Sequence, residues 1–247
     1  MNLLHAKVSG RHKDRRANQL LAALSGAEWR RWEPLLEPVD LQQGDVLSES
    51  GRTTAYVYFP TTAIVSLIYV TQAGGSAEIA VVGNDGAAGI TVFMGGNTMP
   101  GQAVVQSPGG AFRMRAQWVR EEVERVSPAL GIMLRYTQAL IAQVAQTAVC
   151  NRYHSIDQRL ARRLLLGLDR LPSDALLMTQ ELLANLLGVR REGVTAAALK
   201  LQMAGVIRYS RGRIDVLDRQ RLEHRACECY AVAKKDSHRM LPMPLAA

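Results

Sequence analysis

A change of hydrophobic period near residue 116 limits the fold more than any other feature of this sequence. Before it, between residues 34 and 113, the chain cannot stay helical. Clusters of Gly, Asn, Asp, Ser and Pro cut it into short runs: Gly44-Asp45, Ser50-Gly51, Ala73-Gly74-Gly75, Gly83-Asn84-Asp85-Gly86, Gly95-Gly96-Asn97 and Ser107-Pro108-Gly109-Gly110. The runs between them, such as Tyr56–Phe59, Ala63–Val70 and Ala77–Val82, are rich in β-branched and aromatic residues. Turn signals about every 8–12 residues with no helical period predict a barrel or a double-sheet jelly roll.

After Ala116 the apolar residues recur at spacings of three and four: Trp118, Val119, Val123, Val126, Leu130, Met133, Leu134, Leu140, Ile141, Val144 and Ala148. That is the mark of amphipathic helix. Ser127-Pro128 divides it, since proline fits the first turn of a new helix. The expectation is a short helix, a break, and a long helix over residues 128–151. A stripe of Leu134, Thr137, Ile141, Val144, Ala145 and Ala148 suits pairing with a second helix, which predicts a homodimer. A further helix is predicted over residues 155–171, capped by Ser155, with Asp157 in its first turn and ended by Pro172-Ser173-Asp174. Ile156, Leu160, Leu164 and Leu168 form its apolar face, with Arg159, Arg162, Arg163 and Arg170 on the others. Residues 150–154 lie between two helical patterns and mark the domain boundary.

Residues 179–204 read TQELLANLLGVRREGVTAAALKLQMA. Thr179 can cap a helix, Ala184 is small enough for two helices to cross closely, and Gly188 permits a tight turn. Val194 is placed to plug the angle of a helix-turn-helix. Arg190, Arg191, Glu192, Thr195, Ala196 and Lys200 fall at the start or on the outer side of the second helix. Two short strands follow, Val206–Tyr209 and Arg213–Leu217, around Ser210-Arg211-Gly212, a hairpin with a basic tip. Together these elements predict a winged helix. An Arg near the start of a recognition helix can donate two hydrogen bonds to guanine, and a Glu can accept one from cytosine N4. Arg191 and Glu192 are therefore the candidate base readers. Thr179, Arg190, Arg211 and Arg213 are assigned to phosphates, which position a protein without reading sequence.

Charge agrees once it is divided along the chain. The formal net charge of +8 splits into +4 for residues 1–33, −4 for 34–113, +2 for 114–154, +5 for 155–225 and +1 for the remainder. A basic carboxyl-terminal block beside an acidic roll predicts that only part of the molecule meets a polyanion. No apolar run approaches the roughly 20 residues needed to cross a bilayer, and no apolar signal core follows the basic start. A cytoplasmic protein with no membrane partner is expected. An enzyme is not expected: residues 34–113 hold no histidine for a metal cupin site, and no phosphate-cradling Gly-Lys-Ser loop is present.

With these motifs, the chain from about Leu20 to Arg225 resembles the Crp/Fnr family of bacterial transcription regulators. GVRREGV (Gly188–Val194) is similar to the family's recognition-helix pattern, and Arg191 and Glu192 fall on its two best-known base-reading positions. A further base-reading arginine of cyclic-AMP-type members falls on Ala196, which implies a different operator. CNRYHSIDQRLARRLLLGLDRL (Cys150–Leu171) looks like the hinge and helix of one branch. The resemblance implies an α+β chain with an N-terminal antiparallel β-roll (jelly roll) sensor at 20–127, a dimerisation helix and hinge at 128–154, a C-terminal winged helix-turn-helix at 155–225 and a tail at 226–247. Its implied partners are a palindromic double-stranded DNA operator and a second copy of the chain, with RNA polymerase left open.

The roll departs from the family where ligand chemistry matters. Family members that hold cyclic nucleotides carry Gly-x-x-Gly-Glu, whose Glu binds the ribose, and an Arg-Ser/Thr-Ala stretch for the phosphate. Here Gly86-Ala87-Ala88-Gly89-Ile90 puts Ile90 in place of the Glu, and Gly101-Gln102-Ala103 lacks the Arg. Without a cation a buried phosphate is costly to hold, so cyclic nucleotide is not expected at Gly86, Gly89, Ile90, Gln102 and Ala103. A regulator responsive to a cyclic nucleotide or another small molecule and an architectural DNA-binding protein with a vestigial sensor remain as alternatives.

No cofactor is expected either. An iron–sulfur sensor of this family needs amino-terminal cysteines, and residues 1–149 contain none. Cys227 and Cys229, with Cys150 and His224, can be drawn as a zinc site, but structural sites usually pair ligands at gaps of about two to four residues. The three thiols are expected to be ordinary buried groups, and His154 a structural hydrogen-bonding residue.

Overall fold

The computed structural model describes residues 14–125, 127–171 and 174–240. Val126, the Pro172-Ser173 stop, the basic start before residue 14 and the last seven residues of the predicted tail lie outside them. Two short helices lead in, α1 (Gln19–Ala22) and α2 (Gly26–Trp32). The buried Asn18 side chain caps α1 and donates to Pro60 O and Gly86 O at 2.8 and 2.9 Å, tying the lead-in to the roll.

The roll is an antiparallel sandwich of seven strands: β1 (Glu37–Leu41), β2 (Val46–Ser48), β3 (Tyr56–Pro60), β4 (Ile64–Val70), β5 (Ser76–Val82), β6 (Gln102–Ser107) and β7 (Gly109–Arg115). One sheet runs β1-β7-β3 and the other β2-β6-β4-β5, so β5 is an edge strand. The predicted turn at Ser107–Gly110 is the sharp junction between β6 and β7. Its Gly109 is obligatory, because an added Cβ would lie 2.7 Å from the backbone of Thr62 and Ala63.

Helices α3 (Ala116–Glu124) and α4 (Pro128–Tyr153) follow, with Pro128 at the start of α4 as expected. At about 1.5 Å per residue α4 is roughly 39 Å long. The proposed apolar stripe divides between two faces. Thr137 and Val144 turn inward with Met133, Tyr136 and Leu140 against the roll, whereas Leu134, Ile141, Ala145 and Ala148 stay exposed. A 3.6-residue period rotates a stripe of mixed three- and four-residue steps around the helix, so one stripe became two.

Helix α5 (Ile156–Leu168) begins at Ser155, whose hydroxyl accepts from Gln158 N while Gln158 returns the bond in a capping box. The carboxyl-terminal unit continues with β8 (Ala175–Leu177), α6 (Gln180–Leu187), α7 (Arg191–Met203), β9 (Ile207–Ser210), β10 (Arg213–Val216), α8 (Arg219–Arg225) and α9 (Cys229–Met240). β8 completes a three-stranded sheet, β8-β10-β9, that the residue pattern did not announce. Three residues are too short a run for alternation to show.

The arginines of α5 and Arg170 just after it are not a solvated face. Arg163 is 3% exposed and meets Glu78 of β5, itself 6% exposed, at 2.5 and 2.9 Å. It also donates to Gln106 Oε1 at 2.6 Å. Arg170 pairs with Asp85 at 2.6 Å, and Arg162 donates to Thr147 Oγ1 of α4 at 3.1 Å. Gln143 of α4 bonds both N and O of Val81, so the edge of β5 is covered rather than open. Part of the basic excess of residues 155–225 thus neutralises the acidic roll and docks the two units together.

Candidate nucleic-acid interface

The local sequence dictates the helix-turn-helix closely. Thr179 Oγ1 accepts from Leu182 N at the start of α6. Gly188 ends it at φ +61, in the left-handed region where a side chain costs about 1–2 kcal/mol. Ala184 and Val194 are buried where α6 crosses α7, within the cluster of Leu183, Leu187, Ala198 and Leu201. The turn also rests on the roll, since a Cβ on Gly188 would come within 3.3 Å of Ala77 Cβ on β5.

The eight predicted DNA-contacting residues, Thr179, Arg190, Arg191, Glu192, Thr195, Lys200, Arg211 and Arg213, are all exposed. Thr179, Arg191, Thr195 and Arg211 come together along one open groove of about 380 Å³ between α7 and the wing. Two others are engaged within the domain. Lys200 Nζ lies 2.8 Å from Asp157 of α5, and Arg213 Nε lies 2.8 Å from Asp215. Both pairs are exposed, so each holds its cation by no more than about 1 kcal/mol. Among the described residues no carboxylate pairs with Arg190, Arg191 or Arg211.

The wing turns through Arg211 and Gly212 at φ +49 and +76, the backbone of a tight hairpin turn. Among the described residues Arg211 is the one non-glycine with positive φ. Several groove residues were not anticipated: Gln180, Leu199, Gln202 and Tyr209. Gln180 Oε1 accepts from the Thr195 hydroxyl at 2.8 Å, and Gln202 Oε1 accepts from Tyr209 N at 2.9 Å. Burial raises the pKa of the Tyr209 phenol, which keeps its proton and donates it to Met178 O. Helical spacing from Arg191 through Thr195 was the signal available for finding Leu199 and Gln202; Gln180 and Tyr209 come from α6 and β9 and follow from no such spacing.

The residues assigned to an effector pocket are elsewhere. Gly86–Gly89 packs under α4: a Cβ on Gly86 would sit 2.5 Å from the Tyr136 hydroxyl, which donates to Ala87 O at 2.8 Å. Ala103 is buried, and Ile90 packs into the same apolar cluster with Leu140 of α4. Gln102 instead reaches outward, 2.8 Å from Glu49. The three cysteines are free and buried, as expected, and burial pushes the Cys150 thiol up to about 12. The histidine beside them is His154, however, and not His224, which is exposed on α8.

Residues 158–225 match the model of the Crp-like helix-turn-helix domain. No curated protein matches the chain in sequence. Solved structures share its fold. FixK2 from Bradyrhizobium japonicum superposes with a TM-score of 0.64 at 15% identity, over 78% of this chain and 98% of its own. A transcriptional regulator of the crp/fnr family from Eubacterium rectale gives 0.63 at 19%, over 85% and 98%. TTHB099, a CRP-family transcriptional regulator from Thermus thermophilus, gives 0.64 at 18%, over 76% and 96%. Residues 158–225 are thus a Crp-like helix-turn-helix domain in sequence, and most of the chain shares the fold of these solved regulators.

Proposed function

We propose that the protein reads a palindromic DNA operator as a homodimer, with Arg191 and Glu192 on base edges and with a roll that holds no cyclic nucleotide. The observation that supports base reading is the groove between α7 and the wing, where Arg191 and Arg211 face solvent without an acidic partner among the described residues. Two-fold symmetry about α4 sets the paired α7 helices roughly 34–36 Å apart, one turn of the duplex. Thr179, Arg190, Arg211 and Arg213 hold the phosphates, and Thr195 and Lys200 flank the reading residues. The protein acts in the cytoplasm; among the described residues no helix is long and apolar enough to cross a membrane.

The packing of Ile90 and Ala103 against Leu140, with Tyr136 over Gly86, supports a roll closed by its own side chains. The apolar lining offers neither a ribose acceptor nor a phosphate cation, so a cyclic nucleotide would lose its hydration without recompense. In this arrangement the roll acts on the DNA-binding unit through the contacts of Glu78 with Arg163 on α5 and of Asp85 with Arg170 just after it.

Arg191→Ala and Arg211→Ala separate the two kinds of contact. Arg191→Ala costs about 1–3 kcal/mol on the preferred site and relaxes selection at one position of each half-site. Arg211→Ala weakens binding to all sequences alike and lowers the slope of log affinity against log salt by about one unit. Binding isotherms on the selected site and on scrambled DNA, each over a salt series, measure both. Equal weakening of all sequences by Arg191→Ala would remove Arg191 from base reading.

A further inference from the structure

Four metal-ligating side chains, distant in sequence, meet where α4 ends at the hinge. Cys150 lies in the last turn of α4 and His154 caps that turn, its N–H donating to Cys150 O at 3.1 Å, which brings the two residues together at the helix end. Cys227 precedes α9 and Cys229 is its first residue, so one short turn presents both sulfurs to that end. The two Cys Sγ atoms of 150 and 227 are 3.5 Å apart, and Cys229 Sγ is 3.5 Å from His154 Nδ1. All four donor atoms lie within 4.8 Å of one another. The three cysteines are at most a few per cent exposed.

We propose that Cys150, His154, Cys227 and Cys229 bind one tetrahedral Zn²⁺ ion, a structural clamp that fastens the carboxyl-terminal helix to the hinge. Bonds of about 2.3 Å to sulfur and about 2.0–2.1 Å to nitrogen place tetrahedral ligand atoms roughly 3.5–3.8 Å apart, close to the separations seen. The gap between the sulfurs is too wide for a disulfide, whose S–S bond is about 2.05 Å. An iron–sulfur cluster would spread its ligands over several irons and separate them further. Three thiolates with one imidazole select a soft or borderline ion over Mg²⁺ or Ca²⁺. Four protein donors leave no open position, which marks a structural site.

The surroundings are those of a metal site. His154 turns Nδ1 to the sulfurs while Nε2 lies 3.2 Å from Glu228, the carboxylate–histidine arrangement that fixes ring orientation and raises ligand basicity. Gln146 of α4 aims an amide proton at Cys229 Sγ from 2.9 Å, a donor that a thiolate accepts well. Arg159 and Arg162 act electrostatically on Cys150. Binding releases three thiol protons to solvent and leaves the zinc centre with one net negative charge, which these guanidiniums offset. Buried cysteines that only filled space would need neither the imidazole nor the amide. The usual two-to-four-residue gap is met by Cys150 and His154; the closer pair, Cys227 and Cys229, is accommodated by the turn into α9.

The full-length chain, purified without a metal-affinity tag, tests this by metal content and cobalt substitution. The expected result is about one zinc per chain. On exchange with Co²⁺ the protein should show intense visible bands of a tetrahedral ion and near-ultraviolet thiolate-to-cobalt charge transfer. The chain has only three cysteines, so that charge transfer arises from this site. Cys229→Ser should abolish it. Glu228→Gln should weaken zinc about tenfold, as loss of a carboxylate behind a ligating histidine does, without altering the spectrum. Three freely titrating thiols in the folded wild type with no cobalt spectrum would overturn the proposal. So would a Cys150–Cys227 disulfide in the isolated protein, or zinc retained at full occupancy by Cys229→Ser. Should that variant fail to fold, the wild-type cobalt spectrum decides alone. None of these readouts involves DNA, so the result stands apart from the operator reading.

Discussion

Ile141→Asp is expected to leave the chain monomeric at concentrations where the wild type is a dimer. On α4, Leu134, Ile141 and Val149 are 50%, 59% and 48% exposed, with Ala145 and Ala148 beside them. Leu134 and Ile141 are seven residues apart and Ala148 is seven further on, the repeat that keeps one seam against a partner helix. Burying an isoleucine stabilises by roughly 1.5–3 kcal/mol, and a two-fold interface uses it twice. The loss is then about 3–6 kcal/mol, or roughly a hundred- to ten-thousandfold in dimer dissociation, before the cost of burying a carboxylate. Operator affinity should fall by a comparable factor, since two tethered half-site readers gain about 10²–10⁴ over one. Sedimentation and binding isotherms measure the two effects. An Ile141→Asp protein that is still dimeric would place the interface on another face.

Glu78→Ala should cost about 3–5 kcal/mol, far more than an exposed ion pair. The carboxylate accepts from Arg163 and, at 2.5 Å, from the Ser66 hydroxyl, and both partners are buried. Its removal leaves the Arg163 guanidinium buried between roll and α5 with Gln106 as its remaining side-chain acceptor. A double variant, Glu78→Met with Arg163→Met, removes both charges and should recover most of the loss, because paired charges of this kind gain little over apolar packing. Urea unfolding of the single and double variants measures this. Equal destabilisation by both would mean that packing, and not the uncompensated charge, sets the cost.

The helix-turn-helix was legible because its determinants are local. Thr179 caps, Gly188 turns and Val194 plugs within a few residues of one another, and each fixes backbone geometry by its own chemistry. The start of α4 at Pro128 and the cap at Ser155 were readable for the same reason, whereas the return bond from Gln158 was not foreseen. What could not be read depends on partners far along the chain. Arg163 and Arg170 sit on an amphipathic helix like any solvated arginines, and only the position of Glu78 and Asp85 in the folded roll turns them inward. The outward seam of α4 was blurred because an adjacent stripe, Met133, Tyr136, Thr137 and Leu140, is buried on the roll. Cys150 and His154 are separated from Cys227 and Cys229 by more than 70 residues, and sequence proximity favoured His224 instead.

Selection of bound fragments from a random DNA pool with the full-length protein tests the central claim most directly. The enriched sites should be inverted repeats with half-sites one helical turn apart, and Arg191→Ala should degrade the same single position in each half. Enrichment of an unpaired half-site, or no enrichment over the starting pool, would contradict a dimer that reads bases through α7.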